Sequence, residues 1–249
     1  MRILLLNPNT SASVTALVAD RVAAVAGDAA TFVPVTARFG ATYIASRAAL
    51  AIAGHAALDA FAEHGKGCDA VFIACFGDPG LLALREVSPV PVVGMLEASC
   101  LVAQRTAGRY AIVTGGALWK PMLEEIVAGF GLGDGLAGIR TVERTGGEIA
   151  KDPEGALSML AAACRECVEK DRAEAVILGG AALAGLAARL QPQVPVPVIC
   201  SVEAGIRASL AAVRTPYARP VPAPMESIHL GAALESLLGG TKPDGAGRG

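Results

Sequence analysis

Aromatic side chains make up only 4% of this 249-residue chain, and charged ones only 18%. The formal net charge is -2 and there is no basic run, so the electrostatic footprint that nucleic acid requires is missing. No apolar run is long enough to span a membrane, although the mean hydropathy is positive. The leading Met1-Arg-Ile-Leu-Leu-Leu stretch breaks at Asn7-Pro8-Asn9, which is too short for the apolar core of a signal peptide. The expectation is a cytoplasmic protein that binds neither nucleic acid nor membrane. Six cysteines are scattered along a chain of this kind, which favours free thiols over a disulfide framework. Cys164-Arg-Glu-Cys167 has the C-x-x-C spacing, but it lies inside a helical pattern and has no second pair for zinc. His55, His64 and His229 have polar neighbours in helical stretches and read as surface residues.

Alanine, glycine and aliphatic residues are abundant, and small side chains suit close packing of helices on a sheet. Strands are expected at Arg2 to Leu6, Thr31 to Val35, Ala70 to Cys75 and Val90 to Gly94, with helices after the first, second and fourth and a short one from near Pro79. The pattern then restarts with strands at Tyr110 to Thr114, Gly138 to Val142 and Ala175 to Gly179, and helices at Trp119 to Phe130 and Pro153 to Lys170. Strands alternating with helices imply parallel sheets with crossovers.

The halves repeat. Ala70-Val-Phe-Ile-Ala-Cys-Phe-Gly77 aligns with Ala175-Val-Ile-Leu-Gly-Gly-Ala-Ala182, and Val90-Pro-Val-Val-Gly-Met-Leu-Glu-Ala98 with Val196-Pro-Val-Ile-Cys-Ser-Val-Glu-Ala204. The fold class expected is therefore α/β, with two pseudo-symmetric lobes spanning residues 1–96 and 97–214 and a cleft between their strand ends. A proline-rich tail follows from 215, then a helix at Met225 to Leu238 that packs back on the first lobe, then a frayed Gly239 to Gly249.

Cys75 ends a buried apolar run and is followed by Gly77-Asp78-Pro79-Gly80, which builds a special turn around it. A thiol at a strand's carboxyl end faces the crevice where open α/β sheets bind ligands, and the next helix's positive end favours thiolate there. The alternative is a buried cysteine acting as a small hydrophobe. Asn7, Asn9 and Thr10 follow the first strand as candidate substrate contacts or as plain turn and cap residues. Thr114, at the equivalent strand end of the second half, offers a hydroxyl for a substrate carbonyl or a helix cap. Arg47 is read as a first-turn helix residue or a carboxylate partner.

Asn7-Pro-Asn-Thr-Ser11, Ala74-Cys-Phe-Gly-Asp-Pro-Gly80, Pro91-Val-Val-Gly-Met-Leu-Glu-Ala98 and Leu178-Gly-Gly-Ala181 together resemble the aspartate/glutamate/hydantoin racemase superfamily, in its hydantoin and allantoin racemase branch. The resemblance implies a homo-oligomeric, cofactor-free enzyme that moves a proton next to a carbonyl of a small-molecule substrate, with Cys75 as acid or base. It further implies that Thr114 and the turns at Phe76, Gly77, Asp78, Gly180 and Ala181 hold substrate carbonyls. In the hydantoin racemase pattern a second cysteine stands where this chain has Gly180. Cys200 is the nearest thiol in sequence, but it ends the next strand along. Three readings follow: a racemase with another second proton donor, a one-cysteine decarboxylase or isomerase, and a non-catalytic binder. The related arylmalonate decarboxylases carry their single cysteine in the other lobe.

Overall fold

A computed structural model describes residues 1–221 and 223–239; the end of the chain expected to fray, from residue 240 on, lies outside them. The first half contains strands β1 (Arg2–Asn7), β2 (Thr31–Thr36), β3 (Ala70–Ile73) and β4 (Val92–Gly94), with helices α1 (Ala12–Ala26), α2 (Arg47–His64) and α3 (Leu81–Val87) between them. Helix α4 (Met95–Thr106) leads out of β4. The second half has β5 (Tyr110–Gly115), α5 (Trp119–Gly129), β6 (Leu136–Val142), α6 (Gly146–Lys151) and α7 (Pro153–Glu169). It continues through β7 (Ala175–Leu178), α8 (Leu186–Leu190), β8 (Val198–Cys200) and α9 (Ser201–Ala212), and α10 (Ala232–Leu238) closes the described chain.

All strand pairs are parallel, in the orders β2-β1-β3-β4 and β6-β5-β7-β8. The two halves are therefore topological copies. The central strands are sealed on both faces, with Ile3 to Leu6, Ala70 to Ile73, Tyr110 to Val113 and Ala175 to Leu178 almost wholly buried, which explains why they read as unbroken apolar runs. In each sheet the chain leaves the first strand to one side and returns on the other. The crevice at that switch lies outside the carboxyl ends of β1 and β3, and of β5 and β7.

Helices α4 and α9 cross over. Each follows the last strand of its own half, the two pack on each other, and α4 lies on β7 while α9 lies on β3 and β4. Residues 97–214 thus give their last helix to the other sheet: a Cβ at Gly205 in α9 would collide with the Phe72 ring of β3. Helix α10 packs on α2, and it starts at Ala232, later than Met225. No helix among the described residues is long and apolar enough to cross a membrane.

Candidate active site

The switch-point ends of both sheets open on one cavity of about 590 Å³, lined by residues of both halves. Asn9 follows β1, Cys75 follows β3, Thr114 lies at the end of β5 and Gly180 follows β7, and all four line it. Phe76 and Ala181 line it too. Strand β3 ends at Ile73, so Cys75 sits two residues past the ladder, in a turn whose Gly77 and Asp78 amides both donate to the Cys75 carbonyl (3.0 and 3.1 Å). The thiol is buried. Burial pushes it up from the ordinary thiol range and the nearby Asp78 carboxylate pushes the same way. The helix-end stabilisation of thiolate expected from the sequence is thus outweighed, and the resting group is the protonated thiol.

Four of the candidate substrate contacts, and Arg47 with them, lie elsewhere. Asn7 does not line the cavity; its side-chain amide donates to Asn9 Oδ1 (2.9 Å), the Ser11 carbonyl (3.1 Å) and Thr15 Oγ1 (2.9 Å), and so shapes the turn. Thr10 is outside as well, held by its amide on the Ala41 carbonyl at 3.1 Å. The cap of α1 is Ser11, which accepts from the Val14 amide. Gly77 and Asp78 face a second cavity, between α2, α3 and α5. Gly77 is small because the Trp119 ring of the other half lies against it: a Cβ would come within 2.8 Å of that ring. The Asp78 carboxylate accepts from the amides of Leu96 (3.0 Å) and Glu97 (2.8 Å). Arg47, outside the main cavity, pairs with Glu125.

Gly180 has φ +133°, a backbone conformation that side chains with a Cβ rarely adopt, and an added Cβ would press on Leu183 at 3.1 Å. Its amide donates to Ser201 Oγ (3.1 Å), so it already has a partner before any substrate oxygen arrives. Cys200 is absent from the cavity lining.

The loop between β2 and α2 contributes Thr42, Tyr43 and Ile44, which the strand and helix patterns did not single out. The Tyr43 hydroxyl donates to the Gly115 carbonyl (3.3 Å) and accepts from Trp119 Nε1 (3.2 Å), fastening this loop to the other half. The only usable signal was compositional: with one Trp and three Tyr in the chain, an aromatic residue in a glycine-containing loop is conspicuous. Thr145 and Gly146 enter through α6, a six-residue helix with a capping box between Thr145 and Glu148, spaced as S/T-x-x-E. Among the described lining residues no acid appears, and Lys151 is the one charged side chain.

A buried thiol among hydroxyls, amides and apolar walls, between two copies of a parallel α/β unit, defines a small-molecule enzyme site, and the comparisons agree. The chain belongs to the Asp/Glu/hydantoin racemase family, whose model matches residues 3–209, and is thus an enzyme of the racemase/isomerase class. It is similar to the hydantoin racemase of Pseudomonas sp. (strain NS671), 36% identical over 209 residues covering 83% of this chain and 84% of that protein. The crystal structure of allantoin racemase from Pseudomonas fluorescens superposes with a TM-score of 0.83 at 30% identity, covering 86% of this chain and 91% of that one. Arylmalonate decarboxylase shares the fold, with a TM-score of 0.57 at 17% identity over 86% of this chain and 92% of its own.

Proposed function

We propose that this protein is a cofactor-independent racemase or epimerase acting on the carbon next to a carbonyl in a hydantoin-like amino-acid derivative, with Cys75 as acid/base. The observation that carries this reading is the place of Cys75: the one thiol in the lining of a cavity at the switch point of both sheets. An α-proton is weakly acidic, so its removal needs a positioned base and donors for the oxyanion that forms. For one enantiomer Sγ, having first lost its proton to water, takes the α-proton as thiolate while the carbon's electron pair moves onto the carbonyl, and a water on the opposite face gives a proton to carbon. For the other enantiomer the water takes the α-proton and Sγ as thiol gives its own from the other face. The Asn9 carboxamide nitrogen, which has no acceptor among the described residues, and the Thr114 hydroxyl stand as donors. A neutral cyclic amide suits a lining whose hydrogen-bonding groups are nearly all uncharged.

Gly180 favours a second reading within the same class, one-sided chemistry. A glycine at φ +133° holds no acid or base at the strand end facing Cys75, and decarboxylation or isomerisation needs a single stereospecific proton donor. The experiment is polarimetry on enantiopure 5-substituted hydantoins and allantoin, with carbon dioxide release from arylmalonates measured alongside. Loss of rotation supports the racemase; carbon dioxide release with a chiral product supports the one-sided enzyme. No turnover of any of these compounds counts against both.

A further inference from the structure

Asp78 combines features that a turn residue does not need. It is buried, has φ +45°, and spends both carboxylate oxygens on the amides of Leu96 and Glu97 in the first turn of α4. Room for the carboxylate is made by Gly94, where a Cβ would collide with it.

The internal repeat supplies a control. Cys75 corresponds to Gly180, Asp78 to Leu183 and Gly94 to Cys200. Both turns end on a left-handed glycine before a helix, Gly80 at φ +79° and Gly185 at φ +83°. The fold therefore builds this turn with a leucine where no thiol is present. The acid, with the glycine that admits it, occurs only in the copy that carries the cysteine.

We propose that Asp78 is a positioning residue for Cys75, its carboxylate clamping the thiol-bearing turn onto α4 and setting the charge that the thiol faces. This rests on the reading of Cys75 as the acid/base. Helix α4 itself lies on β7 of the other half, so the clamp also fixes the thiol relative to the opposite wall. Asp78 is pushed up to about 7, burial outweighing the amides of Glu97 and Leu96 that stabilise its charge. Its negative charge is thus present across the alkaline range in which a thiol titrates, and there it keeps the proton on sulfur. The other titratable groups around it are Glu97, which is paired with Arg85 of α3, and Cys100 of α4, whose thiol Asp78 also pushes up.

The test is the rate of iodoacetamide alkylation of Cys75, read by peptide mass spectrometry from pH 6 to 10, in the wild type and in Asp78→Asn. The buried Cys164 and Cys167 serve as internal references for loosening of the fold. Removing the charge lowers the thiol's midpoint. Cys75 in Asp78→Asn therefore reacts faster than in the wild type at pH 8, by about tenfold, while Cys164 and Cys167 stay protected. Turnover falls through kcat with KM nearly unchanged. In Asp78→Ser a hydroxyl retains a cap without charge, and its midpoint falls likewise. An unmoved midpoint with unchanged kcat overturns the proposal, as does acceleration of all these cysteines together. A wild-type Cys75 midpoint at or below the ordinary thiol value of about 8.5 also overturns it, whether or not the variants fold. The alkylation readout needs no turnover. Activity retained by Cys75→Ser would instead sink the acid/base reading itself.

Discussion

Cys75 and Gly180 divide the site unequally. The thiol occupies a turn fixed by backbone hydrogen bonds, and a smaller side chain fits there without rearrangement. Cys75→Ala should therefore leave the thermal midpoint within a few degrees of the wild type while removing turnover by at least about 10³-fold; calorimetry and an activity assay on the same preparation check both halves. Gly180 is the reverse case. Placing a cysteine there to rebuild a two-thiol site requires a β-carbon at φ +133° pressed against Leu183. Gly180→Cys should cost about 1–3 kcal/mol of stability and should not raise racemisation above the wild type. Urea unfolding together with polarimetry measures this, and a stable variant with faster racemisation would show that the turn adapts.

At the scale of elements, the close approaches between halves decide what each segment tolerates. Helix α9 lies on β3 with Gly205 against the ring of Phe72, where no side chain fits. Gly205→Ala should destabilise the fold by about 1–3 kcal/mol, seen as a lower denaturant midpoint with an unchanged slope, although the position is far from the thiol in sequence. These elements were unequally legible in the sequence. The four central strands left the strongest signals, because they are buried on both faces and read as apolar runs, and the repeat disclosed the twofold arrangement. Helices α6 and α8 are six and five residues long, too short for helical periodicity to declare them. The crossing of α4 and α9 left no trace, since an amphipathic helix shows that it has an apolar face but not which sheet covers it. The same limit applies within the site. Cys75, Asn9, Thr114 and Gly180 were placed by strand-end logic, whereas Tyr43 and Trp119 come together only through tertiary contact between loops of different halves. Asp78 was found by its motif, but its carboxylate turned out to face α4 and not the main cavity.

For the molecule as a whole, the exchanged helices mean that neither sheet is covered without the other half. Helix α4 shields β7, α9 shields β3 and β4, and the two helices also pack on each other. Thermal unfolding should therefore be one transition, with equal calorimetric and van't Hoff enthalpies, despite the two sheets; two resolved transitions would mean that the halves fold independently. The same arrangement holds the cavity walls at a fixed spacing, with Trp119 packed against Gly77 and Tyr43 hydrogen-bonded to Gly115 at the cleft. A site of this kind is preformed, with one thiol and mostly uncharged hydrogen-bonding groups lining it. The most direct test is deuterium incorporation at the α-carbon of an enantiopure 5-substituted hydantoin in heavy water, followed by proton NMR with wild type and Cys75→Ala. Exchange is expected with the wild type and only the uncatalysed background with the variant; equal exchange by both proteins would contradict Cys75 as the acid/base.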